Sequence, residues 1–486
     1  MLSLSNNQLL KNQCFINGEW CSAESAATVD VENPATGEVI TAIPFMGEKE
    51  TKAAIGFAVE AWSNWKKTTG KHRSQILRRW FDLLIENQRD LAVILSAEQG
   101  KPVQEAMGEI AYAASFIEWF GEEAKRIYGD VIPEVAADTR LTVRKEPIGV
   151  CAAVTPWNFP AAMITRKAGP ALAAGCPIII KPATQTPLTA FALVELARQA
   201  GVPAGIIQVV TGRASAIGNT LCESPDVRKL SFTGSTDIGI QLMQQCAANV
   251  KKVSLELGGN APFIVFNDAD IDKAVEGALI AKFRNNGQTC VCANRILVQS
   301  GVYDQFAQKL ADAVDNLTVA AGHEEKVDLG PLIDSKAFDS IKGMVSDALD
   351  KGANQMSKRT FDVNNDKRFM NPVVLTDAST DMELYRDEIF GPVAALFRFE
   401  TVEEAIQLAN DTEYGLASYL YTQSIQTYVQ VSEALEYGMV GVNTGLISNE
   451  VAPFGGVKAS GIGREGSKYG IDDYLEIKYV CLGGLA

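Results

Sequence analysis

Three residues in this chain combine a useful side chain with a mounting that could put it to work: a cysteine, a glutamate and an asparagine. In Phe283-Arg284-Asn285-Asn286-Gly287-Gln288-Thr289-Cys290-Val291-Cys292 a helical pattern breaks at Gly287 and presents Cys290 directly after a turn. A thiolate so placed is a nucleophile, although most cysteines in any sequence are inert core residues. Leu255-Glu256-Leu257-Gly258-Gly259 sets a carboxylate at a strand end before two glycines. In a dry site it would serve as a general base; alone, it is as readily a cap or a surface charge. Thr155-Pro156-Trp157-Asn158-Phe159-Pro160 holds an amide between two prolines, a rigid mount for an oxyanion donor or simply a stiffened loop.

The rest of the composition closes off other chemistries. Only two histidines, His72 and His323, occur among 486 residues, and both lie in polar surroundings. A histidine-based metal site or a Ser-His-Asp triad lacks raw material, and there is no GxSxG elbow. The net charge is -15 with no basic tract, so nucleic acid is not an expected partner. Nine cysteines without regular spacing argue against a disulfide framework and for a reducing compartment. Residues 1–13 are polar, and no apolar run is long enough for a membrane. A soluble, cytoplasmic enzyme is the default expectation.

The elements that must hold these residues follow from periodicity. Strand-like pieces at 14–20 and 39–43 precede helical patterns at 48–67 and 71–98. From Gly149 apolar runs alternate with helices; strands are expected at 150–154, 177–180, 206–210, 229–232 and 251–255, which reads as a parallel sheet. Thr186, Pro187 and Gly201 give the second crossover helix its start and stop signals. A second α/β region begins at 261–266, with a helix from near Asp270 and further strands at 295–300, 373–375 and 440–443. Two α/β lobes imply a cleft. Strand-rich pieces at 131–146 and 474–480 are candidates for pairing across a subunit interface.

A cofactor site is expected at the carboxyl ends of the first sheet. Ser231-Phe232-Thr233-Gly234-Ser235 ends a strand in a hydroxyl-rich turn that opens a helix, where N–H groups meet a pyrophosphate, though Ser and Thr cap helices in any protein. Lys181, with Thr184 beyond it, follows another strand and could hold ribose or phosphate oxygens, or be a solvated loop lysine. Gly461-Ile462-Gly463-Arg464-Glu465-Gly466 has the letters of a dinucleotide fingerprint but no apolar strand before it, so it is set aside.

Taken in order, these segments resemble the aldehyde dehydrogenase superfamily along nearly the whole chain. The resemblance rests on Thr155-Pro156-Trp157-Asn158, Lys181-Pro182-Ala183, Phe232-Thr233-Gly234-Ser235, Glu256-Leu257-Gly258-Gly259, Gly287-Gln288-Thr289-Cys290, Glu388-Ile389-Phe390-Gly391-Pro392 and Pro453-Phe454-Gly455-Gly456. The segments Ala162-Met163-Ile164-Thr165-Arg166-Lys167, Cys290-Val291-Cys292-Ala293-Asn294-Arg295 and Ile447-Ser448-Asn449-Glu450 are similar to its succinate-semialdehyde branch.

The resemblance implies an α/β fold with a Rossmann-type cofactor domain (1–128 and 147–257), an α/β catalytic domain (258–458) and a small β oligomerisation arm (129–146 and 470–486). It implies that Cys290 attacks the aldehyde, that Asn158 and the Cys290 N–H hold the oxyanion, and that Glu256 activates the water that hydrolyses a thioester. Trp157, Lys181, Thr184, Gly212, Ser235 and Glu388 become cofactor contacts. Many NAD-using members carry a glutamate where Thr184 stands, so NADP is the expected cofactor and NAD an accepted one. Arg166, Arg284 and Ser448 become ligands of the distal carboxylate of succinate semialdehyde. Glutarate semialdehyde or an uncharged aliphatic aldehyde is the alternative substrate, and a catalytically silent nucleotide-binding relative the alternative class. A homo-oligomer, dimer or tetramer, is expected. Cys290 and Cys292 lie within chain reach of each other; some members of the branch use such a pair as a redox switch, against the plainer reading of Cys292 as a packing residue.

Overall fold

The computed structural model describes residues 2–361 and 367–485. An eight-stranded sheet carries five adjacent parallel strands in the order Lys252–Glu256, Val227–Thr233, Val150–Val154, Ile178–Lys181, Ile207–Val209. The three central ones are buried along almost their whole length, as continuous apolar runs covered on both faces should be. The chain steps outward from Val150–Val154 through Ile178–Lys181 to Ile207–Val209, then returns to the other side of Val150–Val154 with Val227–Thr233. That reversal creates a switch point between the carboxyl ends of Val150–Val154 and Val227–Thr233, the place where doubly wound sheets open a crevice.

Both sheet edges are closed by segments far away in sequence. A hairpin, Cys14–Ile16 with Glu19–Cys21, adds to Ile207–Val209 at one edge. At the other, Gly461–Ile462 pairs antiparallel with Leu255 and Glu256. The fingerprint letters at 461–466 are therefore an edge strand and its exit. Gly461 is a glycine because a Cβ there would lie 1.9 Å from the Leu255 carbonyl oxygen.

The crossover helix Pro187–Gln199 has Pro187 in its first turn, and Gly201 follows its end at φ +94°. Thr186 occupies the cap position, but its hydroxyl makes no cap bond. The capping is done by Glu98, whose carboxylate accepts from Leu188 N at 2.7 Å and Thr189 N at 2.8 Å. The helical pattern at 71–98 is two helices, Gly70–Glu86 and Gln88–Gln99, parted at Asn87, whose ψ of 14° interrupts the run.

The strand Lys252–Glu256 runs on through Gly258-Gly259 into Ala261–Val265 of a second, seven-stranded sheet. There Ala293–Gln299, Val393–Phe399, Ala417–Tyr421 and Met439–Val442 extend a parallel core. Glu256 thus ends the last parallel strand of one sheet, and Cys290 precedes the second strand of the other. A third sheet joins Leu475–Leu482 to Arg140–Pro147 over eight register pairs, with Asp130–Ile132 beside them. It exposes Val131, Ile477 and Tyr479. Among the described residues no helix is long and apolar enough to cross a membrane.

Candidate active site

The turn that carries Cys290 is built earlier in the chain than the glycine suggests. Helix Ile271–Phe283 ends before Arg284, and Asn285 (φ 52°), Asn286 (φ 58°) and Gly287 (φ 75°) are three consecutive left-handed residues. Asparagine is among the few side chains that tolerate this region, which is why the break starts ahead of Gly287. Each link is pinned. Asn285 Nδ2 donates to the Asn158 carbonyl at 3.0 Å, and its Oδ1 accepts from Gln99 Nε2 at 3.0 Å. Asn286 Nδ2 donates to Gly330 O at 2.9 Å, and Gln288 Oε1 accepts from Ile333 N at 2.9 Å. A Cβ on Gly287 would meet the Gly391 carbonyl at 2.2 Å, and one on Gly259 would meet the Cys290 carbonyl at 2.4 Å. Gly259 is what lets the strand from Glu256 pass beside the cysteine.

Asn158 reaches the same turn from the first sheet. Its Nδ2 donates to Gln288 O at 3.0 Å, which leaves one N–H of that amide unspent. Lys101 fixes the Asn158 backbone, donating to its carbonyl at 2.8 Å while paired with Glu109 at 2.6 Å, both side chains fully buried. Glu109 in turn accepts from Ala161 N at 2.9 Å. Sequence reasoning missed Lys101, Glu109 and Gln99, because charged and amide side chains in helical or loop segments carry no sign of burial.

The acid–base groups of the cleft are held toward their neutral forms. Burial, then the neighbouring Glu465, pushes the Glu256 carboxyl well above the usual range, with Arg166 and Lys167 opposing. One of its oxygens is buried with no hydrogen-bond partner among the described residues. Burial pushes Glu388 up to about 8, and its Oε1 accepts from Gly259 N at 3.3 Å. The Cys290 thiol is pushed up to about 12 by burial and by Glu388, against the pull of Arg166 and Arg284. A thiol raised in this way gives up its proton as the bond to sulfur forms. Cys292 points elsewhere, donating to the Lys282 carbonyl at 3.3 Å.

Beyond Cys290 lie the two arginines. Arg166 is buried, its guanidinium 3.9 Å above the Phe454 ring and its Nε 2.8 Å from Glu465 Oε2, while Nη2 has no hydrogen-bond partner among the described residues. Lys167 pairs with the same Glu465 and donates to Thr233 Oγ1 at 2.7 Å. Arg284 stacks 5.2 Å from the Phe159 ring. The acid facing it is Glu105, which burial pushes upward. Ser448 and Arg284 line one small cavity with Thr289 and Tyr419.

The cofactor candidates sit at the carboxyl ends of the first sheet. Ser235 occupies the cap position of helix Thr236–Ala247, and its hydroxyl makes no cap bond. The turn is tied to the base strand by Gly234 N donating to Glu256 O at 3.0 Å. Lys181 is buried, and burial alone lowers its ammonium to about 8. Thr184 is half-buried on the rim of an open cavity with Gln185 and Ser335. Trp157 meets Phe390 edge-on at 5.6 Å, and Phe390 is held at φ 49°, a strained conformation for an aromatic residue. Gly212 (φ +147°) is explained within the chain: a Cβ there would lie 2.0 Å from the Met46 carbonyl.

The profile of the Aldehyde dehydrogenase family matches residues 20–480. A glutarate-semialdehyde dehydrogenase of Pseudomonas putida is 61% identical over 99% of this chain and 100% of its own. A succinate-semialdehyde dehydrogenase [NADP(+)] of Escherichia coli is 59% identical over 99% and 100%. A crystal structure described as an E. coli NADP dependent enzyme superposes with a TM-score of 0.98 at 59% identity, covering 99% of this chain and 100% of that one.

Proposed function

The chain belongs to the aldehyde dehydrogenase family, and on that premise we propose that it oxidises succinate semialdehyde to succinate with NADP, NAD being accepted as well. The observation that carries the substrate assignment is a pocket of cations short of an acceptor. Arg166 Nη2 has no hydrogen-bond partner among the described residues, and the acid facing Arg284 is drawn toward its neutral form by burial. An aldehyde with a distal carboxylate supplies the missing charge through charge-assisted hydrogen bonds.

In this reading Cys290 Sγ attacks the aldehyde carbon, the thiol proton passes to solvent at the mouth of the site, and the carbonyl π pair moves to oxygen. The oxygen of the thiohemiacetal is held by the unspent Asn158 N–H and the Cys290 N–H. When bound, the nicotinamide supplies the hydride acceptor. Loss of hydride from the thiohemiacetal leaves a thioester, and Glu256, once ionised, takes a proton from the water that hydrolyses it. Lys181 and Ser235 are suited to the phosphates, with Thr184 beside them adding no charge; Trp157 and Glu388 flank the passage toward Cys290. The fit rests on Lys181, a cation stripped of water whose only cause of shift is burial.

A second reading, glutarate semialdehyde, is favoured by the Pseudomonas relative. The two substrates differ by one methylene, which a pocket discriminates weakly. We assign the exposed apolar positions of the third sheet, Val131, Ile477 and Tyr479, to a homo-oligomer interface, and the nine free cysteines to a cytoplasmic setting.

Steady-state kinetics over succinate semialdehyde, glutarate semialdehyde and butanal test the proposal. The two acids should exceed butanal in kcat/KM by at least tenfold. Equal values for all three would remove the distal-anion reading, and silence across the panel would favour a non-catalytic role.

A further inference from the structure

One polar group in the distal pocket has no part in the reading above. Tyr112 stands on helix Val103–Glu123 with its ring edge-on to Phe116, centroids 4.9 Å apart at 73°. Phe116 in turn lies 5.6 Å from the Arg166 guanidinium. The Tyr112 hydroxyl is buried and has no well-formed hydrogen bond among the described residues. It faces the Ser448 hydroxyl and the charges of Arg166 and Arg284.

A buried phenol O–H without a partner costs about 1–3 kcal/mol, and tyrosine hydroxyls in interiors usually find one. Guanidinium groups only donate, so neither arginine can satisfy it. Ser448 Oγ, which the phenol faces, can accept from it, but the Ser448 O–H is then the donor left without an acceptor. Tyr112, with the Arg166, Arg284 and Ser448 groups that act on it, thus carries more donors than acceptors. A structural role alone would be met by phenylalanine, since the ring packing against Phe116 does not use the oxygen.

We propose that the Tyr112 hydroxyl donates to the distal anion of the substrate and is a determinant of specificity for aldehydes that carry one. The inference rests on the distal-anion reading of Arg166 and Arg284. It adds a neutral donor on a rigid helix, which directs the carboxylate without adding to the charge already concentrated there.

The test compares wild type, Tyr112→Phe and Arg284→Gln with succinate semialdehyde and with butanal. Tyr112→Phe should raise KM for the semialdehyde about tenfold, leave kcat within about twofold, and leave butanal kinetics unchanged. As a readout free of turnover, succinate should raise the Tm of wild type more than that of Tyr112→Phe. If Arg284→Gln loses the preference for the semialdehyde while Tyr112→Phe keeps it, the Tyr112 assignment is overturned and the distal-anion reading stands. If both variants keep the preference, the distal-anion reading itself fails. A Tyr112→Phe enzyme slowed equally on both substrates would make Tyr112 a packing residue.

Discussion

Arg166 and Glu465 form an ion pair, Nε to Oε2 at 2.8 Å, with both side chains almost wholly withdrawn from solvent. Glu465 also takes Lys167, so one carboxylate answers two cations and the cluster stays net positive. That arrangement holds the Arg166 guanidinium over Phe454 while leaving charge for a substrate anion. Glu465→Gln strands two buried cations, so the expected cost is about 3 kcal/mol or more of stability. Chemical denaturation reads it directly, and KM for the semialdehyde should rise in the same variant. A variant as stable as wild type would show that the pair is dispensable.

The nucleophile and the base are separable by kinetics. Cys290→Ala should abolish oxidation while cofactor binding, followed by fluorescence, stays within about threefold, because the candidate cofactor contacts other than Glu388 lie at the ends of the other sheet. Glu256→Gln should retain a burst of reduced cofactor followed by a steady state slowed about a hundredfold or more, since the thioester forms before the water is needed. Loss of the burst in Glu256→Gln would place the carboxylate at the earlier step, as acceptor of the thiol proton.

Burial also predicts a pH signature for Glu388. Its folded value of about 8 lies above the usual 4.5, so between those values the folded chain holds a proton that the unfolded chain releases. Stability from this group is therefore greatest below the ordinary carboxyl range and is lost as pH rises toward about 8. Glu98, also raised to about 8, acts in the same direction. Glu388→Gln should keep more of its Tm between pH 5 and 8 than wild type, with the two converging at the acid end. Parallel Tm profiles would place Glu388 in a wetter site than its packing against Gly258 and Gly259 implies.

Much of this was legible in the sequence, and the parts that were not share a cause. The five parallel strands were readable because apolar runs bounded by glycine and proline leave few alternatives, and Cys290, Glu256 and Asn158 stood at strand ends and turns. Lys101 and Glu109 were invisible: a buried ion pair looks like two surface charges until the helix that carries one of them is packed. Asn285 and Asn286 were read as the end of a helix, since left-handed backbone is a local choice that neighbouring carbonyls decide. The raised Cys290 thiol was not readable either, since it depends on the desolvation and the nearby Glu388 that packing brings.

In the proposed reading, cofactor choice turns on Thr184. A neutral hydroxyl near Lys181 leaves room for a 2'-phosphate, whereas a carboxylate there would repel it. Thr184→Glu should raise the KM for NADP about tenfold or more while that for NAD changes little, in steady-state assays at fixed aldehyde. Equal losses on both cofactors would show that the loop lies elsewhere than on the ribose.

The remaining prediction concerns Cys292. Oxidation of Cys290 by peroxide would pass its sulfur to a sulfenic acid with release of water, and attack by the Cys292 thiol would then form the disulfide with loss of a second water. Two features of the structure set the conditions. The Cys290 thiol, pushed up to about 12, is mostly protonated at neutral pH, so inactivation by peroxide should be slow there and should quicken with each unit of rising pH. Cys292 must also give up its contact with the Lys282 carbonyl at 3.3 Å to reach the sulfenic acid. Wild type treated with peroxide at mildly alkaline pH should therefore lose activity and regain most of it on adding dithiothreitol. Cys292→Ala should lose activity at a similar rate and recover little, because its sulfenic acid goes on to the sulfinic acid. Mass spectrometry of the tryptic peptide that holds both residues distinguishes the products, a loss of two hydrogens in wild type against a gain of two oxygens in the variant. Equal recovery of the two enzymes would leave Cys292 as a packing residue beside Lys282.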